Sequence, residues 1–292
     1  MKTYLTDLTL PSDCDESGFI ANVKETCFQS FYPYNIFPLK QLRHIEFAPI
    51  TIFYGGNGSG KTTLLNIIAE KIGAARHSAF NSTPFFKPYL KDCKINVNGM
   101  LTNKQMLTSD DVFDKLLDFR YLNNGIDMKR EELFEEYHKN KKSSYKLQSL
   151  DDYDYFKKIC EAKSKSKSKY VKERLAQNIA VGSNGENALN YFVNRIDENG
   201  LYLLDEPENS LSIEYQLKFK DFLEDSARFF RCQFILATHS PVLLSLKNAL
   251  IYDLDDCPVT TKKWTKLENM IKYFEFFESY KAEFYSENQL SF

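Results

Sequence analysis

Apolar and polar positions follow two periods along this chain, and the change of period organises it. Residues 3–10 alternate, and residues 42–54 carry the apolar run Ile50, Ile52, Phe53, Tyr54 that stops at a glycine cluster, so both stretches predict short strands. Immediately beyond, Leu64, Leu65, Ile67, Ile68 and Ile72 recur at helical spacing, which makes the local pattern strand, glycine-rich turn, helix. From about residue 81 to 177 the composition shifts toward charge. Residues 110–121 and 129–138 read there as amphipathic helices, and residues 161–174 contain the lysine-rich run KSKSKSKYVKER. After residue 184 the pattern returns to helix (188–196), buried strand (201–204), long helix (213–230) and two further strands (234–238 and 250–254). Strands alternating with helices predict a mostly parallel sheet covered on both faces. The expected architecture is an α/β core built from residues 1–80 and 181–292, interrupted by a helical subdomain at 81–180. The tail, residues 268–284, reads as a helix dense in aromatics that packs on the core or on a partner rather than standing in water.

Composition adds limits. With 292 residues, 43% hydrophobic and 15% aromatic, the chain can bury a full core in one large domain with an insertion. A formal net charge of -2 gives no overall pull toward nucleic acid or an anionic membrane, so any basic surface is local. Cys14, Cys27, Cys93, Cys160, Cys232 and Cys257 are scattered without a Cys-x-x-Cys pair, which reads as reduced thiols and excludes a zinc-type spacing. The first residues lack the apolar run of a signal peptide, and no stretch approaches the roughly 18 apolar residues of a membrane span. The expectation is a cytoplasmic chain with no membrane insertion.

Three short stretches carry chemistry. Gly55, Gly56, Asn57, Gly58, Ser59, Gly60, Lys61 and Thr62 spell G-x-x-x-x-G-K-[ST], with Thr63 following. In that pattern backbone N–H groups and a helix N-terminus cradle phosphates, Lys61 reaches the β/γ-phosphates of ATP, and the Thr62 hydroxyl takes one position on Mg²⁺. Chance yields such a match in roughly one chain in a hundred of this length, and its place between strand and helix makes chance less apt still. The run LYLLDE ends an apolar strand on Asp205, which can hold the Mg²⁺ water shell, and Glu206, which can orient an attacking water. His239 follows the strand at 234–238, where a neutral imidazole can donate to a γ-phosphate oxygen. The lysine run (Lys163, Lys165, Lys167, Lys169, Lys172) reads either as a solvated face or as a DNA-phosphate contact. Spacing of two spreads these lysines around a helix instead of along one stripe.

The order of these elements, together with Gly182-Ser183-Asn184-Gly185-Glu186, resembles the ABC-type ATPase family of P-loop NTPases over residues 45–245. The resemblance implies a head-to-tail homodimer in which Ser183 and Gly185 reach in trans to the γ-phosphate held by the other subunit. Asn184 at the middle position and the lack of a leucine before the serine depart from the commonest family form, and Ser-Asn-Gly-Glu is also an ordinary helix N-cap. The stretches DEPENSLS (205–212) and ATHSP (237–241) look like the stand-alone ATPases related to the RecF and SMC group. For such relatives the resemblance implies an ATP hydrolase, requiring ATP and Mg²⁺, that drives or regulates a partner effector such as a nuclease, in DNA transactions or defence against phage. A transporter motor and an ATP-gated scaffold with little hydrolysis are the competing readings. The family's Mg²⁺-sensing glutamine has no clear match, with Asp110 or Asp111 as substitutes. Its adenine-stacking aromatic falls among Phe31, Tyr32, Tyr34 and Phe37.

Overall fold

The computed structural model describes residues 1–24, 27–99, 101, 103–145, 149–179 and 182–288. In chain order, β1 (Leu5–Thr9) and α1 (Asp13–Asn22) precede β2 (His44–Glu46) and β3 (Ile50–Tyr54). Then come α2 (Lys61–Ile72), α3 (Phe86–Asp92), β4 (Lys94–Val97), β5 (Asn103–Thr108) and α4 (Ser109–Lys142). Helices α5 (Tyr153–Ser164), α6 (Lys167–Lys172) and α7 (Asn184–Val193) lead into β6 (Gly200–Asp205), α8 (Ile213–Phe229) and β7 (Gln233–Ala237). The chain closes with α9 (Pro241–Leu244), β8 (Leu250–Asp253), β9 (Thr260–Thr261), α10 (Glu268–Ser279) and α11 (Lys281–Asn288).

Two sheets form. The larger has the order β5-β6-β7-β3-β8-β9 and is parallel except for the last pair, while β2-β1-β4 make a small antiparallel sheet. The expected mostly parallel sheet core is present. Its central strands are continuous apolar runs because both faces are covered: every residue of β3 and of β7 is buried. Helix α2 is buried along most of its length, with Leu64, Leu65, Ile67 and Ile68 fully enclosed in the main core with Phe53 and Leu203. It ends at Gly73, in the left-handed conformation (φ 64°) that closes the last carbonyls.

The chain divides into two compact units, residues 1–112 with 188–292, and residues 113–187. Residues 81–112 fall in the first because β4 pairs with β1 and β5 with β6, pairings between strands distant in sequence that local periodicity does not register. The expected boundary at residues 180 and 181 lies outside the described residues.

In the second unit the two amphipathic segments expected at 110–121 and 129–138 belong to one helix, α4. Gly125 and the neighbouring asparagines lower intrinsic helix propensity by about 1 kcal/mol at the glycine. Tertiary bonds offset this: the Asn123 amide exchanges hydrogen bonds with the Ile179 backbone, and Asp127 binds both Arg130 and Asn178. Leu133, Tyr137, Ala162, Tyr170 and Val171 form a separate small core there. Lys165 pairs with Glu161 and Glu173 and Lys167 lies over the Phe134 ring, whereas Lys163, Lys169 and Lys172 are exposed.

Helix α10 does not meet the core along its aromatic length. Only Met270 is buried within it, while Tyr273, Phe274, Phe276 and Phe277 are exposed. Among the described residues no helix is long and apolar enough to cross a membrane.

Candidate functional site

The chain leaves the buried strand β3 at Tyr54 and turns through residues 55–60 into α2. Two glycines make the turn feasible. Gly60 sits at φ 100°, where a Cβ would also stand 3.2 Å from the Phe37 ring, and a Cβ on Gly55 would lie 2.6 Å from Ser59 Oγ. The loop and α2 line a cleft of about 330 Å³ together with Tyr32, Ile36 and Glu206, so Asn57, Gly58, Ser59, Gly60, Lys61, Thr62 and Thr63 are brought to one cavity. Its size falls within the usual range for small-molecule sites. Lys61 is almost wholly buried, and its ammonium donates to the carbonyls of Gly55 (2.7 Å) and Gly56 (3.1 Å) while standing 3.6 Å from Glu206 Oε1. Ser59 Oγ is buried without a hydrogen-bond partner among the described residues, an acceptor and donor held ready at the loop.

The strand β6 delivers the acids. Thr62 Oγ1 donates to Asp205 Oδ1 at 3.1 Å, joining the start of α2 to the tip of β6. Asp205 is pushed up to about 6, chiefly by burial and further by the neighbouring Glu206 and Glu208 carboxylates, with the Thr62 bond and Lys61 pulling the other way. Among the described residues no group of three or more His, Cys, Asp or Glu side chains could hold a metal ion by itself. The hydroxyl of Thr62 and the carboxylate of Asp205 are hard oxygen donors, a set that suits Mg²⁺ shared with substrate phosphates rather than a metal cage made by protein alone. The under-compensated charge on Asp205 is the kind that a cation relieves.

Glu206 adopts the left-handed conformation (φ 45°, ψ 50°), which for a residue with a side chain costs of order 1 kcal/mol. Surrounding bonds hold it there: its N–H donates to Ala237 O at 2.9 Å and its Oε2 accepts from the Asn209 amide at 3.0 Å. The turn aims the carboxylate back across the sheet edge toward Lys61 and the cleft. His239, half exposed, places Nδ1 3.9 Å from Glu206 Oε1 and 3.6 Å from Glu208 Oε1. Thus Lys61, Thr62, Asp205, Glu206 and His239 converge at the carboxyl ends of β3, β6 and β7, where open α/β sheets bind ligands.

Ser183 and Gly185 belong to the other compact unit. Ser183 Oγ accepts the Glu186 N–H at 3.2 Å, so the serine caps the start of α7.

The four aromatics considered for adenine separate cleanly. Tyr34 and Phe37 are buried in the main core and Phe31 packs on Phe85, whereas Tyr32 lines the cleft and donates its hydroxyl to Thr63 Oγ1 at 3.1 Å. Asp111 is buried and accepts from the backbone of Ser78 and Thr108, a capping task, while Asp110 is exposed. Sequence reasoning missed Arg76, whose guanidinium binds Asn66 Oδ1 and feels the charge of Asp205. It also missed Asp255, whose two carboxylate oxygens accept the Gly56 N–H at 3.0 and 2.9 Å and brace the loop's entry. Neither has a local motif: Arg76 folds back onto α2 from just beyond its end, and Asp255 reaches the loop from about 200 residues away.

Comparison with known proteins bears on this site. Residues 192–245, which hold Asp205, Glu206 and His239, match the family model described as "AAA domain, putative AbiEii toxin, Type IV TA system". No curated protein matches the chain in sequence. Among solved structures, the chain is similar to the SMC head domain from Thermotoga maritima (13% identity, 89% of this chain and 99% of that chain, TM-score 0.39). It is also similar to the Smc head of Pyrococcus furiosus bound to the C-terminal domain of ScpA (13% identity, 93% and 99% covered, TM-score 0.41). A third is an inward-facing "putative metal-chelate type ABC transporter" (17% identity, 94% and 88% covered, TM-score 0.39). The parallel sheet and the phosphate-type loop between β3 and α2 give the chain an α/β P-loop architecture, and the acid-tipped strand β6 lies within the segment that matches the AAA-domain model.

Proposed function

We propose that this chain binds ATP with Mg²⁺ in the cleft beside α2, hydrolyses it, and uses it to close a head-to-tail homodimer that drives or regulates a partner effector. The observation that carries this is the convergence of Lys61, the Thr62–Asp205 pair and a strained Glu206 on one cavity. On binding, the backbone N–H groups of residues 57–63 donate to the phosphate oxygens. Lys61 exchanges its carbonyl partners for the β/γ-phosphates, and Tyr32 is placed to flank the base. Bound Mg²⁺ would neutralise charge shared by the β- and γ-phosphate oxygens, held by Thr62 and, through its water shell, by Asp205. Glu206 orients the attacking water, its second oxygen steadied by Asn209, and His239 donates to the γ-phosphate.

Ser183 and Gly185 supply the facing half of the site from the second subunit, since a helix N-terminus with a serine cap is an anion site. The exposed aromatics of α10 support a protein partner, because apolar patches of this kind mark interaction surfaces. The matched family description, which names a toxin and a toxin–antitoxin system, supports an effector role in defence over a transporter role. Steady-state ATP turnover tests the enzymatic half: the wild type turns over with Mg²⁺, and Lys61→Ala and Glu206→Gln each lose at least 100-fold, the order of one positioned catalytic group. Equal, negligible rates in all three chains, with ATP still bound, would replace the hydrolase with an ATP-gated scaffold.

A further inference from the structure

Glu208 lies two residues beyond Glu206 in the short 3-10 turn Pro207–Ser210, and its side chain is buried, with 5% of its surface exposed. Oε1 accepts three donors from the tip of β7 and the turn after it: Thr238 Oγ1 at 2.6 Å, the His239 N–H at 2.9 Å and the Ser240 N–H at 3.2 Å. Three donors on one oxygen are what an ionised carboxylate takes in a buried place. Oε2 is buried with no hydrogen-bond partner among the described residues, so the acid is retained at a desolvation cost that packing alone does not require. A second tie runs parallel to the first. Gln216 on α8 donates to Leu211 O at 2.9 Å and accepts from Ser240 Oγ at 2.6 Å. The turn that follows Glu206 is therefore bonded twice to the turn that presents His239.

From this geometry we infer that Glu208 is a positioning residue: its carboxylate fixes the His239 backbone relative to Glu206, so that the γ-phosphate donor and the water-orienting acid keep one spacing through turnover. The inference rests on the proposed hydrolysis. Thr238 is wholly buried and its N–H donates to Phe53 O at 3.2 Å, so the β7 tip is already anchored to β3, the strand that feeds the phosphate loop. Only the segment beyond Thr238 needs a tether, and Glu208 binds the two N–H groups there. Because the hydrogen bond is to the backbone of His239, it sets where the ring starts, while the ring's Nδ1 stands 3.6 Å from the same oxygen, beyond hydrogen-bond reach. A buried acid that acted only on stability would show its effect in unfolding and in ATP binding, not specifically in the rate of the step His239 assists.

A double-mutant cycle on the full chain separates these. Glu208→Gln keeps the shape and an acceptor oxygen but removes the charge. The expected result is a kcat at least 10-fold lower with KM for ATP within threefold, and in a His239→Ala background the same change lowers kcat less than threefold. Additive losses in the cycle, or a KM that rises as far as kcat falls, would overturn the inference. If Glu208→Gln does not fold, Thr238→Val, which deletes the 2.6 Å donor and leaves the acid, is read in the same cycle with the same two outcomes. A wild type without ATP turnover would instead overturn the proposed function. A wild type slowed by His239→Ala but indifferent to Glu208→Gln overturns only the positioning role.

Discussion

Asp205→Asn should stabilise the protein while abolishing its Mg²⁺-dependent activity. Asp205 is held near 6 against an ordinary value of 3.8, so ionising it in the folded chain is disfavoured by about 2 pH units, or roughly 3 kcal/mol by linkage. The carboxylate is mostly buried but keeps some solvent contact, which screens part of that cost and leaves an expected gain of roughly 1–2 kcal/mol for the neutral amide. Asparagine retains a carbonyl oxygen for the Thr62 hydroxyl, so the bond between α2 and β6 persists. The folded pKa is raised, hence the wild type binds more protons folded than unfolded between pH 3.8 and about 6, and loses stability as pH rises through that window. The variant's advantage is therefore full at pH 7.5, shrinks below pH 6 and vanishes near pH 4. Thermal unfolding in EDTA at pH 7.5 reads this as a Tm higher by roughly 2–6 °C for a chain of this size. Adding Mg-ATP should raise the Tm of the wild type and leave that of the variant nearly unchanged. A variant less stable than the wild type at pH 7.5, or a difference that does not change with pH, would refute the charge argument.

Other positions give independent readouts. Gly60→Ala forces a Cβ into a φ of 100° and against Phe37; it should cost at least about 1 kcal/mol in urea unfolding and weaken ATP binding more than 10-fold by calorimetry. Leu203→Ala, in the fully buried middle of β6, should cost about 2–5 kcal/mol in the same unfolding assay while ATP affinity below the transition is unchanged. Tyr32→Ala should raise the Kd for ATP while leaving the Kd for inorganic triphosphate within twofold, since Tyr32 faces the cleft from outside the loop's backbone. Glu206→Gly should lose hydrolysis while changing stability by less than about 1 kcal/mol, because the strain relieved at φ 45° is offset by glycine's unfolded-state entropy and the lost Asn209 bond.

Much of the core was legible because its signals are local. The loop 55–62 spells its own chemistry, and the buried strands β3, β6 and β7 are apolar runs that can only be covered on both faces. What the sequence withheld is whatever depends on distant partners. The small sheet pairs β1 with β4 across some 90 residues, so no period in either strand announces it. Helix α4 runs through a glycine and two asparagines because Asn123 and Asp127 find partners near residue 179, contacts absent from the helix's own pattern. Glu208 lies in the stretch DEPENSLS, which by itself carries only a resemblance; its meaning appears only when Thr238, His239 and Ser240 arrive from the turn after β7. The aromatic tail reversed a local rule. Its phenylalanines read as packed on the core or on a partner, and the fold leaves them off the core.

The most direct test is the mass of Glu206→Gln in solution, with and without Mg-ATP. Slowing hydrolysis at an intact binding site should hold the closed state, so ATP should convert monomer to dimer, and adding Ser183→Arg at the cap of α7 should return it to monomer. A mass that ignores ATP, or a dimer that Ser183→Arg leaves untouched, would contradict the composite-site account.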